Sequence, residues 1–350
     1  MKVHIVCYED ADVWICGKIA RRLAENLCRL GHPCVIGNAP DGTADINHHV
    51  IYMNYPGSST GVHSLMVTHI DDALKLGKLR NGLTTAKAAI CMSAESVQRL
   101  GILGLDSGRL AFVSPAQDGV VPPRRMVVGI TTRLYPDGRK REKDLVRLAE
   151  GLSPDDFSFK IMGFGWADIV GDLRSRGFLI EYFEAFDLGK YGELIGSLDY
   201  FLYLSGDEGS MGYIDALAAG VKTIVQPQGF HLDAVGGITH AFTSFEELRE
   251  VFAGIAADKR QRQNAVRSWT WENYAQGHLA IWERCLAGRP LQEGAGTAAP
   301  APATGMLAAR SRLWANVFLG RARTLFNMGK DFDCESRLWQ KRRSKKRSTK

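Results

Sequence analysis

Residues 194–220 read LIGSLDYFLYLSGDEGSMGYIDALAAG. Within them YFLYL at 200–204 is a short aromatic and aliphatic run, the pattern of a strand covered on both faces. Ser205-Gly206 is a turn signal, and Asp207, Glu208, Gly209, Ser210, Met211 and Gly212 then form a glycine-rich loop. Small residues at 214–219 open a helix, Gly220 closes it, and KTIVQ at 222–226 reads as a second strand. Strand, loop, helix and strand make one βαβ unit. Ligands of open α/β sheets sit at the carboxyl ends of the strands, where this loop lies. Its glycines admit close backbone approach, and the free N–H groups of a helix start attract anions. Asp207 and Asp215, with seven residues between them, bracket the loop and offer carboxylates to a hydroxyl-rich ligand. Helix capping is an equally good use of Asp207 and Glu208, so this window alone leaves both uses open.

The same alternation extends in both directions. Before the loop come a strand at 126–130, a polar Arg- and Lys-rich loop at 131–142 and a helix at 143–150. A strand at 157–162 follows, running into Gly163-Phe164-Gly165, and then a strand at 178–183. After the loop, a short strand at 241–243, a helix at 245–256 and an amphipathic helix at 269–287 are expected. The first half repeats the theme. Strands are expected at 2–7, 34–36, 49–53, 65–68, 88–92 and 110–113, with helices at 18–30 and 94–100. Gly17 stands alone at the first helix start, so the G-x-G-x-x-G dinucleotide fingerprint is absent. His69 lies just past a strand, as a ligand-binding imidazole or a hydrogen-bonded loop histidine. Three prolines in 114–123 mark a linker. The expected organisation is α/β: a Rossmann-like half at 1–120, a second at 121–268, a closing helix at 269–290, a flexible Ala/Pro/Gly linker at 291–305 and a basic segment at 306–350.

Composition narrows the class. The formal net charge of +6 is unevenly spread: residues 306–350 hold 13 of the 44 Lys and Arg but 3 of the 38 Asp and Glu. The rest is mildly acidic, which gives no reason to expect nucleic acid as a partner. Leu307, Trp314, Phe318 and Leu325 share one helical stripe, and seven of the last ten residues are basic. An amphipathic helix with a disordered basic tail fits an anionic membrane surface. Seven cysteines without a C-x-x-C fit free thiols in a reducing cytosol, and no zinc-ligand spacing occurs. No apolar run reaches the roughly 20 residues of a membrane span, and the chain opens directly on a strand. The expected location is cytoplasmic, with peripheral attachment to the inner face of the membrane through the tail.

These motifs together resemble the retaining glycosyltransferases of the GT-B fold, the "group 1" class, over roughly residues 1–287. That family has two facing Rossmann-like domains with a cleft between them. Its strand-to-Gly-Arg-Leu turn resembles GITTRL at 129–134, which puts Arg133 on the donor diphosphate, with Lys140 or Lys143 as the second cation. Its Gly-x-Gly resembles Gly163 and Gly165, and its Ser-x-x-Glu-Gly block ending in Glu-Ala-x-Ala-x-Gly resembles 205–220. Asp215 then stands at the ribose, and Asp207 or Glu208 beside the transferred sugar. The amides of Ser210, Met211 and Gly212 face sugar and phosphate. Here the family's Glu-x7-Glu is Asp-x7-Asp, which shortens both carboxylates. In the first half the resemblance places Gly17 near the diphosphate and His69 at the sugar or acceptor. It implies sugar transfer from a nucleotide diphosphate sugar to a glycan or lipid-linked acceptor hydroxyl, with retention and without a metal or other cofactor. The alternatives are an inverting GT-B enzyme, a nucleotide-sugar epimerase, or a catalytically silent GT-B domain at a membrane.

Overall fold

The computed structural model describes residues 1–10, 12–58 and 60–291. Two six-stranded, wholly parallel sheets carry the chain. The first comprises β1 (Val3–Val6), β2 (Cys34–Gly37), β3 (Ile46–His49), β4 (Val62–Val67), β5 (Ala88–Cys91) and β6 (Leu110–Phe112), in the order β2-β1-β3-β4-β5-β6. Helices α1 (Ile15–Arg29), α2 (Ala73–Gly82) and α3 (Ala94–Ile102) connect its strands. The second comprises β7 (Met126–Thr131), β8 (Phe157–Met162), β9 (Ile180–Phe183), β10 (Tyr200–Tyr203), β11 (Lys222–Val225) and β12 (His240–Ala241), in the order β12-β11-β10-β7-β8-β9. Its helices are α4 (Glu142–Ala149), α5 (Ala167–Ser175), α6 (Leu188–Gly196), α7 (Met211–Ala218), α8 (Phe230–Asp233) and α9 (Phe245–Ala265), and α10 (Trp271–Leu286) closes the described chain. The architecture is the α/β one expected from the sequence. The expected linker and basic helix at 292–350 lie outside the described residues.

Strand β10 shows why its sequence is apolar throughout. Tyr200 and Leu202 enter one core cluster and Phe201 and Tyr203 the other, so a period of two feeds two buried faces. The second sheet reverses its order between β7 and β10, the topological switch point at which parallel sheets open a crevice.

Several elements differ from expectation. Helix α2, helix α5 and most of α6 were not foreseen, and α9 runs to Ala265 rather than 256. The strand expected at 49–53 is displaced to Ile46–His49, whose INHH is polar yet wholly buried. Hydrogen bonds make that burial affordable: Asn47 pairs with the backbone of Asp41, His48 with Ser64 at 2.9 Å, and His49 with His63 at 2.9 Å. Of the cysteines, Cys7, Cys91 and Cys285 are buried, whereas Cys28 is exposed.

Helix α10 follows the second sheet in sequence but packs on the first. Trp282 is fully buried and its indole N–H donates to Ser64 Oγ at 2.8 Å. Tyr274 is buried beside Met66, and the Trp271 indole donates to Asp118 at 2.8 Å. No helix among the described residues is long and apolar enough to cross a membrane.

Candidate functional site

A pocket of about 810 Å³ opens at the carboxyl ends of β7, β8 and β9 and at the start of α7. Arg133, Gly163, Ser210, Met211, Gly212 and Asp215 all line it. Six sequence-predicted site residues thus meet in one place. Phe164, Phe186 and Met211 also line it and are 61%, 68% and 71% exposed, a wide apolar wall open to a flat ligand.

The loop carrying Arg133 is locked from behind. The Leu134 N–H donates to the Phe164 carbonyl at 2.9 Å, and the buried Trp166 indole donates to the Thr132 carbonyl at 2.6 Å. Gly163 has φ +151°, and a Cβ there would lie 2.1 Å from Thr132 O, so only glycine lets these two loops touch. Gly165, at φ +94°, packs on Leu134. Arg133 is exposed, lies 5.0 Å from the Tyr135 ring centre, and has no carboxylate partner among the described residues. Arg139 stacks on the same ring at 3.7 Å.

The start of α7 is held by residues distant in sequence. Ser210 precedes the helix, and its N–H donates to His231 Nε2 at 3.3 Å, while His231 Nδ1 pairs with the Gln226 carbonyl at 3.0 Å. The two partners assign the proton to Nδ1 and leave Nε2 as acceptor. His231 thereby takes the cap amide, and Met211 and Gly212 hold first-turn N–H groups that have no carbonyl within the helix. A Cβ on Gly212 would sit 2.2 Å from Thr131 Oγ1, so glycine lets α7 press against the end of β7. Asp215, one turn further on, is exposed and accepts from the Tyr191 hydroxyl at 2.5 Å.

Lys140 does not line this pocket. Its ammonium, on a side chain 11% exposed, donates to Asp207 Oδ2 at 2.6 Å and to the Tyr203 hydroxyl at 2.7 Å, and Tyr203 donates to Asp207 Oδ1 at 2.5 Å. Burial pulls the Lys140 pKa down, but the bonds to Asp207 and Tyr203 outweigh it and raise the value. Burial likewise acts upward on the Asp207 carboxyl, and hydrogen bonds from Lys140, Tyr203 and Ser205 overcome it, bringing the pKa to about 2. The structure therefore brings Asp207 to the lysine, whereas the Glu208 side chain is exposed and pairs with nothing among the described residues. Lys143 is exposed on the first turn of α4.

In the first sheet, Gly17 is buried in the first turn of α1. His69 is exposed past the end of β4, between Thr68 Oγ1 at 3.1 Å and Lys75 Nζ at 3.1 Å, with Lys75 also paired to Asp71. Neither lines the pocket of the second sheet. Sequence reading missed Tyr191, Tyr203 and His231. The first two look like core aromatics, and only the Gly229-Phe230-His231 turn after β11 hinted at the third.

Fold and site together define an α/β protein with a pocket at a switch point, lined by Arg133, Glu184, Asp215 and the start of α7. No family model matches the chain. No curated protein matches it either. Among solved structures it is similar to the apo form of the lipopolysaccharide outer core galactosyltransferase WaaB, at 11% identity and TM-score 0.33, covering 82% of this chain and 99% of that one. Anabaena HepE in complex with UDP and glucose is similar at 13% identity and TM-score 0.33, over 81% and 99%. WaaG, a glycosyltransferase involved in lipopolysaccharide biosynthesis, is similar at 13% identity and TM-score 0.32, over 82% and 99%. At such scores these likenesses carry no conclusion about the chemistry of this chain.

Proposed function

We propose that this protein is a glycosyltransferase that takes a sugar from a nucleotide diphosphate sugar and gives it to an acceptor hydroxyl. The observation that carries the reading is the convergence in one pocket of a guanidinium without a carboxylate partner among the described residues, the start of α7, the carboxylates of Glu184 and Asp215, and an exposed aromatic wall. A nucleotide diphosphate has the complementary parts: an anionic pyrophosphate, ribose hydroxyls and a flat base. Sugar transfer builds negative charge on the departing diphosphate. Arg133 and the amides of Met211 and Gly212 are proposed to stabilise that charge, in a reaction that needs no metal. Retention of configuration, a glycan or lipid-linked acceptor held by residues 1–120 near His69 and Gly17, and a cytoplasmic, peripheral membrane setting complete the proposal. So does the assignment of residues 121–268 to the donor.

The decisive experiment is Arg133→Ala, read by calorimetry with nucleoside diphosphates and by sugar transfer. Losing a charge-assisted bond to phosphate weakens diphosphate binding about ten-fold or more and slows transfer, while binding of the bare nucleoside is unchanged. Equal diphosphate affinity in the variant would remove Arg133 from the phosphate site.

One observation favours a second reading. Asp207 is committed to Lys140 and Tyr203 and does not line the pocket. A domain that binds nucleotide sugars without transferring them fits that arrangement. Nucleotide binding with neither transfer nor donor hydrolysis would select it, and product anomer analysis separates retaining from inverting transfer and from epimerisation.

A further inference from the structure

We propose that the second sheet carries a further binding site at its amino-terminal end, and that this site takes a linear aliphatic polyamine between Glu250 and Asp258 of α9. None of its residues lines the Arg133 pocket, so the proposal stands apart from the nucleotide reading.

Helix α9 sets Glu250, Gly254 and Asp258 at intervals of four, on one stripe. Two turns separate the acids, about 12 Å along the axis. Glycine is a poor helix former, so one in the middle of a 21-residue helix calls for a reason. A Cβ on Gly254 would meet nothing within 4 Å, and the residue leaves an open gap between the two carboxylates. The gap belongs to a cavity of about 570 Å³. Its other walls include Tyr200, Lys222 and His240, the first residues of β10, β11 and β12.

An acidic helix face alone is ordinarily just solvated, but Tyr200 adds a second sign. It is only 5% exposed and lines the cavity, yet its hydroxyl has no hydrogen-bond partner among the described residues. Buried hydroxyls are normally paired. Burial first, then Asp199 and Asp258, push the phenol pKa up against the pull of Arg262, so the proton stays on and the oxygen feels the Asp258 charge. That oxygen can accept from an ammonium.

The charges select the ligand. Glu247 is already committed, accepting from the Thr243 N–H at 2.6 Å and its hydroxyl at 2.7 Å. Glu250 and Asp258 have no ion-pair partner among the described residues. Lys222, 5.6 Å from the Tyr200 ring centre, is the one lysine or arginine in the lining. Burial and Lys222 lower the His240 pKa against the pull of Asp258, which leaves the imidazole neutral at pH 7. Carboxylates therefore outnumber cations. Their separation is too wide for one metal ion, and among the described residues no group of three ligands could hold one. Val251 and Ile255 also line the cavity. Ammonium groups joined by methylenes match carboxylates separated by such a surface.

The test is calorimetric titration of the full chain, without nucleotide and at low salt, with spermidine, putrescine and Mg²⁺. Spermidine should bind one to one and tighter than putrescine, which is too short to reach both acids. Glu250→Gln and Asp258→Asn should each weaken spermidine about three-fold or more, the scale of an exposed charge pair, and remove its advantage over putrescine. Tyr200→Phe should weaken it as well. Gly254→Leu fills the gap from a position with room for a side chain and should abolish binding, which keeps the test intact if the tyrosine variant folds poorly. A wild type that ignores spermidine would overturn the proposal. So would Mg²⁺ binding as tightly as spermidine, the mark of a mere acidic surface, or a Gly254→Leu variant of unchanged affinity.

Discussion

Lys140, Asp207 and Tyr203 close a ring of hydrogen bonds whose charge depends on one proton. Asp207 titrates at about 2 in the folded chain, against about 3.9 for an unfolded aspartate. A folded value below the unfolded one means that the stabilisation is complete above about pH 4 and is lost as pH falls from there toward 2. Urea midpoints measured across that window should drop in the wild type and drop less in Asp207→Asn. At neutral pH the same variant leaves a nearly buried ammonium without its counter-ion and should cost about 1–3 kcal/mol by urea denaturation. The sequence left Asp207 and Glu208 equal, and Lys140 and Lys143 equal. The pairing of Lys140 with Asp207 joins residues more than sixty positions apart, which no local spacing encodes. Arg133 was legible because its neighbours Gly129 and Leu134 form one short motif.

Among the elements, α7 illustrates how tightly the site is built. Its first turn touches the end of β7 through Gly212, where an added methyl would meet Thr131 and Phe201. Gly212→Ala should therefore destabilise the fold by about 1–3 kcal/mol and weaken nucleoside diphosphate binding, as read by thermal denaturation and calorimetry. Gly171 in α5 faces open space, so Gly171→Ala should instead stabilise by roughly 0.5–1 kcal/mol with binding unchanged. Strand β8 was legible at both ends because Phe157, Phe159 and Ile161 alternate with Ser158 and Lys160 and the run stops at Gly163. Strand β3 was not, because its histidines and asparagine look solvent-facing until their partners on β4 and the 41–47 loop are known. Helix α2 hid for the opposite reason: its residues show no strong apolar stripe, and the Asp72 cap is its only clear local signal.

At the level of the whole molecule, the two sheets were legible from repeated strand and helix patterns, but the landing place of α10 was not. Its apolar face is plain in the sequence, while the surface it covers belongs to strands some 200 residues earlier. Trp282→Ala should cost about 3–5 kcal/mol in urea denaturation, since it empties a fully buried site and removes the indole donor from Ser64, which keeps its bond to His48. Nucleoside diphosphate affinity of the folded fraction should stay the same, because the pocket is assembled from the second sheet alone.

That placement of the last described helix also has a consequence for synthesis. The amino-terminal sheet emerges from the ribosome first, yet the surface around Ser64 and Met66 stays uncovered until residue 282 has left the exit tunnel. The nascent chain must carry that apolar face, complete but unsealed, through most of its own translation, and it is over this interval that a chaperone would find it.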